Sequence, residues 1–335
     1  MSGLRIAIIV PDGTPVAGGN WTTALRLEAG LLARGHDVHF SYLKDARPEA
    51  ADVVHALNAR SVGVPLLRAG LNPASVLVTW TGTDLWHPEP FADADRDLLR
   101  MAAGHTVLGR DAIVQVSHKL GLPADDIVLV PPGVDTERFS PAGPRVDLPR
   151  PTLLLPGAGR QEKGTLDAID LVDALNRLLP VHLAIVSPAR DPDYWGKVEK
   201  RVMDSPATHW YGTVELREMP AWYRAADLVI NTSYTEGLSN ALLEALACGR
   251  PVLARDIPGN RALLHGAGAG RLFRTPTEFV DSATELLTQA DAAERLSNRA
   301  RAHVLRHFTL TREIDRFLAL YRRMTESPCE QGAGQ

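Results

Sequence analysis

Residues 228–260 read LVINTSYTEGLSNALLEALACGRPVLARDIPGN, and the order of their apolar and polar stretches decides the fold. The run 228–230 is short and wholly apolar, as expected of a parallel strand buried on both faces. A polar turn carrying Glu236 and Gly237 follows, and Ser239 or Asn240 can cap a helix expected over 239–248. Gly249 suits a left-handed helix stop, and Pro251 separates it from a second strand at 252–254. Strand, helix and strand in this order set the helix N-terminus at the carboxyl end of the first strand. That edge is where open α/β sheets bind ligands.

Glu236 and Glu244 lie about two helical turns apart, so they are not neighbours on one helical face. A carboxylate just ahead of a helix accepts hydroxyl hydrogen bonds, while the free N–H groups of the first turn hold an anion such as a diphosphate. A nucleotide sugar carries both groups. Taken alone, two solvated glutamates on a capped surface helix are the plainer reading. The flanking residues outweigh it.

The stretch resembles the diagnostic segment of retaining nucleotide-sugar glycosyltransferases of family four, in which paired glutamates open a helix that ends in a small residue, glycine and proline. The matching residues are Glu236, Gly237, Glu244, Ala245, Gly249 and Pro251, continued by Asp256 and the IPGN of 257–260. The resemblance implies an α/β GT-B fold, two Rossmann-like doubly wound domains facing across a cleft, with the donor held by the second. It also implies that Glu236 meets the hydroxyls of the donor sugar and Glu244 the nucleotide ribose.

A chain of 335 residues is long enough for two cores of about 150 residues each, and 45% hydrophobic content can fill both. A formal charge of −4 gives no global attraction to nucleic acid or an anionic membrane. Cys248 and Cys329 are too few for a disulfide framework, which fits a reducing cytoplasm. No CxxC, clustered metal-ligand spacing or aspartate-rich motif is present, and no apolar run is long enough to span a bilayer. Met1 leads directly into an apolar run at 4–10 without a signal-peptide pattern, so a soluble cytoplasmic protein is expected.

The first domain is expected over 1–147, with strands at 4–10, 38–43, 52–57 and 75–80 and a helix after Val62. The loop PDGTPVAGGN at 11–20 has glycines that allow close backbone approach, and Asn20 can cap a helix carrying Ala24, Leu27 and Leu31 to a stop at Gly35. Gly18, Gly19 and Asn20 read as an acceptor-binding loop at the cleft, or as an ordinary strand-to-helix connection. The glycine spacing is not the dinucleotide fingerprint. The strand at 75–80 runs into Thr81, Gly82, Thr83 and Asp84, again at a carboxyl end. Many family-four enzymes have histidine, glycine, threonine and aspartate here, with the histidine beside the donor's anomeric carbon. Thr81 stands in place of that ring. Asp84 reads equally as a group that orients an acceptor or as a turn cap. Strands are expected at 106–108, 113–116 and 127–130, with a short helix opened by Ser117, holding a structural His118 and ending near Gly121. The PPGVD of 131–135 with Phe139 resembles the point where the family's chain leaves the first domain. Prolines across 141–151 predict an extended linker, with the boundary near 147.

The second domain is expected over 148–307. A strand at 152–155 leads into PGAGRQEKG, where Gly157 and Gly159 permit close approach and Arg160 and Lys163 bring two cations ahead of a helix over 164–179. Arginine forks onto phosphate oxygens and lysine acts as a point charge, so the pair suits a diphosphate leaving group, although loop cations are often simply solvated. The family places an arginine and a lysine here for that purpose, at wider spacing. A strand at 182–187 and a helix at 192–203 come next. WYGTV at 210–214 then resembles the family's segment beside the nucleotide base, with Val214 as its apolar side chain. Helices at 216–225, 276–289 and 292–307 and a strand at 271–273 complete the domain. A last helix within 308–325 carries Ile314, Phe317, Leu318 and Tyr321 on one stripe. In GT-B enzymes this helix commonly crosses back onto the first domain. The tail 326–335 is polar and expected to be loose.

These readings predict a metal-independent retaining transferase that moves a hexose or N-acetylhexosamine from a nucleoside diphosphate sugar, UDP foremost, to a small polar acceptor. No cofactor is expected beyond the UDP-sugar co-substrate, no nucleic-acid partner and no membrane insertion, and a homodimer is among the expected states. Arg160, Lys163 and Glu236 are the expected catalytic residues. Donor binding is assigned to Gly159, Arg160, Lys163, Val214, Glu236, Gly237, Leu238, Ser239, Asn240 and Glu244, and acceptor binding to Gly18, Gly19, Asn20, Thr81, Gly82, Thr83 and Asp84. Residues 19–26, TGTDL at 81–85 and IPGN are also similar to the selenosugar synthases of selenoneine biosynthesis, although EGLSN at 236–240 differs from that group. A selenosugar or thiosugar synthase using UDP-GlcNAc and selenophosphate or a related nucleophile is therefore an alternative. A nucleotide-sugar 2-epimerase and a non-catalytic sugar-nucleotide sensor are two more.

Overall fold

The apolar runs of the first third pair side by side in a computed structural model that describes residues 3–13, 18–82, 84–157 and 159–326. Strands β1 (Arg5–Val10), β2 (Asp37–Tyr42), β3 (Val53–Leu57), β4 (Val76–Trp80), β5 (Gly104–Val107) and β6 (Ile127–Leu129) form one parallel sheet in the order β2-β1-β3-β4-β5-β6. Every residue of β3 and β4 is buried, as strands covered on both faces require, with His55 and Thr79 the polar members among apolar ones. The crossovers carry α1 (Gly19–Leu32), α2 (Val64–Arg68), α3 (Asp93–Arg100) and α4 (Arg110–Leu120).

Three local expectations in this region are corrected. The apolar residues at 113–116 are helical, inside α4, and not a strand. Ala112, Val116 and Leu120 recur every four residues as its buried stripe, and Gly121, at φ 64°, closes the helix. Ser117 accordingly sits in the last turn of α4 instead of opening a helix. Asn20 is not a cap, because α1 begins at Gly19 and Gly18 holds the N-cap position. Helix α3, rich in aspartate and arginine, was not anticipated from its short, strongly charged sequence.

The second sheet repeats the pattern. Strands β7 (Thr152–Pro156), β8 (His182–Val186), β9 (Thr208–Trp210), β10 (Leu228–Asn231), β11 (Val252–Arg255) and β12 (Arg271–Phe273) are all parallel, in the order β12-β11-β10-β7-β8-β9. Its helices are α5 (Thr165–Asn176), α6 (Pro192–Asp204), α7 (Met219–Ala225), α8 (Asn240–Ala247), α9 (Pro258–Leu264), α10 (Pro276–Thr288) and α11 (Ala290–His307). The order reverses between β7 and β10, and the carboxyl edge at such a reversal is where open α/β sheets bind ligands.

The chain divides into two units, Met1–Pro132 with Leu310–Gln335, and Gly133–Thr309. The division lies ahead of residue 147, because the residues leading into the proline-rich segment are already tied into the second unit by two arginines. Buried Arg224 donates to the carbonyls of Ser140 at 2.7 Å and Arg138 at 3.0 Å, and Arg301 donates to those of Thr136 and Phe139, both at 2.8 Å. The last helix, α12 (Leu310–Glu326), belongs to the first unit, where Ile314, Phe317, Leu318 and Tyr321 join Leu27, Leu31 and Ile8 in one core. Arg26 on α1 forks onto Glu313 at 2.7 and 2.9 Å, with the glutamate only 2% exposed. The residues 327–335 expected to be loose lie outside the described residues, and none of the described helices is long and apolar enough to cross a membrane.

A buried polar chain joins α12 to the sheet. His55 Nδ1 meets Tyr321 Oη at 2.8 Å, His55 Nε2 meets Thr79 Oγ1 at 2.6 Å, and Thr79 meets Thr106 at 2.5 Å. Burial pushes His55 down to about 3, and the same cause pushes His105 down to about 4. Both rings take up protons in the unfolded chain near pH 6.5 but in the folded one only well below that. Their contribution is therefore complete above about pH 6.5 and is lost as the pH falls toward 4 and then 3. Each ring adds a slope of about 1.4 kcal/mol per pH unit inside its window. Urea midpoints followed from pH 7 to pH 4.5 are expected to fall more steeply for the native chain than for His105→Gln, and equal slopes would contradict this account.

Candidate functional site

The loops that follow β7 and β10 are joined by hydrogen bonds. Thr232 Oγ1 donates to the carbonyls of Lys163 at 3.1 Å and Gly164 at 2.9 Å, and the N–H of Tyr234 donates to the carbonyl of Glu162 at 2.8 Å. Gly164 has φ 62°, and a Cβ there would stand 2.3 Å from the Thr232 carbonyl oxygen. Only glycine meets both demands.

This zipper brings Lys163 to Glu236. The ammonium Nζ lies 2.7 Å from Oε1, which also accepts from Ser233 Oγ at 2.7 Å and Asn231 Nδ2 at 3.3 Å. Burial alone would push the Glu236 carboxyl up, but Lys163, Ser233 and Asn231 together hold it below its usual range. The carboxylate is thus ionised and fixed in direction. Asn260 orients this group in turn, donating from Nδ2 to Asn231 Oδ1 and to the Arg255 carbonyl, both at 3.0 Å. A Cβ on Gly259 would come 2.5 Å from the Glu236 carbonyl oxygen. The IPGN segment therefore buttresses the Glu236 loop, with Pro258 opening α9. Asn231 and Ser233 were not singled out in the sequence, and Asn260 only as the last residue of the IPGN segment, without a role. The polar end of an otherwise apolar strand was the available signal.

The other donor-side expectations fall around the same sheet edge. Ser239 caps α8, its Oγ accepting from the Leu242 N–H at 3.4 Å, with Asn240 in the first turn, Leu238 buried and Gly237 half-exposed. Glu244 lies farther along α8, where buried Tyr223 donates to its Oε2 at 2.8 Å. Gly159 and Arg160 follow β7, and Arg160 Nε is shielded from solvent with no hydrogen-bond partner among the described residues. Val214 is half-buried in the loop after β9, past Gly212, whose carbonyl accepts from the Ser187 N–H at 2.9 Å. Glu236 and Lys163 are in direct contact. Glu244 is held separately, by Tyr223.

The acceptor-side expectations lie in the first unit. Gly18, Gly19 and Asn20 form the start of α1, after β1. Half-buried Thr81 follows β4, its Oγ1 accepting from Asn58 Nδ2 at 3.4 Å, and Gly82 has φ 118°. Thr83 lies outside the described residues. Asp84 is 1% exposed and caps the turn: Oδ2 accepts from the Ala59 N–H at 2.7 Å, and Oδ1 accepts from those of Thr81, Gly82 and Leu85 at 3.0 Å. Burial pushes its carboxyl up and these donors pull against it. The geometry favours turn capping, with Asp84 shaping the loop that carries Thr81. Among the described residues no group of three or more His, Cys, Asp or Glu is placed to hold a metal ion.

Comparison with known proteins finds glycosyltransferases. Residues 150–289 match the family described as Glycosyl transferases group 1. A Xenopus tropicalis glycosyltransferase 1 domain-containing protein 1 is 33% identical over 140 residues, 42% of this chain and 41% of that protein. The chain spans about half the length of the curated relatives it matches. The crystal structure of a glycosyltransferase from Rickettsia africae superposes with a TM-score of 0.81 at 16% identity, covering 98% of this chain and all of the other. Anabaena HepE, solved in complex with UDP-glucose, superposes with a TM-score of 0.72 at 16% identity, covering 96% and 98%. Residues 150–289 are therefore similar to the domain described as Glycosyl transferases group 1, in a chain whose two parallel sheets have the GT-B fold.

Proposed function

We propose that this chain transfers a glycosyl group from a nucleoside diphosphate sugar, UDP foremost, to a small polar acceptor with retention of configuration. The observation that carries the reading is the Lys163–Glu236 contact at the reversal of the second sheet, a cation suited to phosphate beside a fixed carboxylate suited to sugar hydroxyls. The group 1 family match and a structural neighbour solved with UDP-glucose support it.

In this mechanism Lys163 and Arg160 stabilise the departing diphosphate together with the first-turn N–H groups of α8, and this electrostatic term dominates catalysis. Glu236 holds the sugar through its hydroxyls. The acceptor attacks on the face the diphosphate leaves, through an oxocarbenium-like state, and a diphosphate oxygen takes its proton. The charges at the site come from the chain itself, so turnover is expected to persist in EDTA.

The test is a panel of nucleotide sugars with nucleoside diphosphate release as readout, with and without polyol, phosphorylated-polyol, selenophosphate and thiophosphate acceptors. Release that requires an acceptor supports transfer, and selenophosphate as the best acceptor marks a selenosugar synthase. Release without any acceptor indicates 2-epimerase or hydrolase chemistry, and binding without release indicates a sensor. No binding of any nucleoside diphosphate at millimolar concentration would sink the proposal.

A further inference from the structure

The loops after β7 and β8 run in register. Gly159 and Ala189 form a parallel bridge, the Gly159 N–H donates to the Pro188 carbonyl at 2.9 Å, and the N–H groups of Arg190 and Asp191 donate to the Gly159 carbonyl at 3.3 and 3.2 Å. A Cβ on Gly159 would stand 2.5 Å from the Pro188 oxygen and 2.6 Å from the Trp195 ring, so glycine is what lets the loops meet. The next pair in this register is Arg160 and Arg190. Neighbouring parallel segments lie about 4.8 Å apart and project paired residues to the same side. Arg160 and Arg190 thus leave the bridge on neighbouring segments at the carboxyl edge of the sheet, near enough for the charge of one to act on the other.

Both side chains are half-buried, and Arg160 Nε has neither solvent nor a hydrogen-bond partner among the described residues. Burial, and then the charge of Arg160, hold Arg190 below its usual range. Like charges at this separation repel, and an anion seated across them reverses the sign of the interaction. The sheet order supplies the direction. From β10 through β7 and β8 to β9, the strand ends carry Glu236, then Arg160 and Lys163, then Arg190, then Val214. A nucleotide sugar lying along that edge presents its sugar, outer phosphate, inner phosphate and nucleoside in the same order.

We infer that Arg190, beside Arg160, binds the inner phosphate of the donor, a role that rests on the glycosyl-transfer reading above. Calorimetric titration of uridine, UMP and UDP into the native chain, Arg190→Gln and Arg190→Lys tests it. Arg190→Gln is expected to lose about ten- to a hundredfold in affinity for both UMP and UDP, with uridine unchanged and Arg190→Lys intermediate. Its melting temperature without ligand is expected to stay close to the native value. Unchanged UMP affinity in Arg190→Gln overturns the inference. So does an equal loss for uridine with a lowered melting temperature, which marks a structural role. A native chain that binds none of the three overturns the donor reading itself, and this inference with it.

Discussion

Replacing Lys163 with alanine is expected to lower the rate of nucleoside diphosphate release by about a hundred- to a thousandfold, the range found when a preorganised charge at a developing anion is removed. Two effects combine. The ammonium 2.7 Å from Glu236 is lost as a partner for the leaving diphosphate. Glu236 also loses the strongest influence that keeps its carboxyl below the usual range, and burial then pushes it up. A protonated Glu236 donates where it should accept, so the residual activity should rise with pH across the slightly acidic range, where the native enzyme stays flat. Lys163→Arg keeps a cation but changes its shape, and is expected to fall between the two. The measurement is single-turnover release of nucleoside diphosphate under saturating donor. Native-like turnover in Lys163→Ala would remove the leaving-group role.

The second large effect concerns stability. Arg26→Ala leaves the Glu313 carboxylate, 2% exposed, without the two guanidinium contacts at 2.7 and 2.9 Å that neutralise it. Stranding one partner of a buried pair costs about 3–5 kcal/mol. For a unit of this size that corresponds to a fall in melting temperature on the order of 10 °C. Replacing both partners with apolar residues, Arg26→Met with Glu313→Leu, removes the stranded charge and is expected to recover most of the loss. Calorimetric scans of the native chain, the single and the double variant provide the comparison. A single variant melting within a degree or two of the native chain would show that the pair contributes little.

The parallel sheets were legible because stretches such as 6–10 and 228–230 are unbroken apolar runs, as burial on both faces requires. The same signal misled at 113–116, where four residues are too few to separate period two from period 3.6. The helical stripe emerges only when Ala112 and Leu120 are counted. At the site, Glu236 and Lys163 could be picked out from the local motifs around them. The roles of Asn231, Ser233 and Asn260 could not, since they lie in contacts across the sheet edge. Asn260 acts on Asn231, and Asn231 on Glu236, through bonds that no linear spacing encodes. Arg190 escaped notice for the same reason, because its neighbour Arg160 belongs to a different strand end. Asp84 was ambiguous in the sequence, and its four backbone donors come from two separate loops.

Helix α12 belongs to the unit formed by the first 132 residues, yet the 177 residues of Gly133–Thr309 come between them. On the ribosome, the later-made unit is the first to have all its residues. The earlier one must wait until 310–326 have emerged before Ile314, Phe317 and Tyr321 can cover Leu27 and Leu31. A nascent chain halted before residue 310 would therefore expose a greasy surface on its oldest part, the state in which a holdase would engage it.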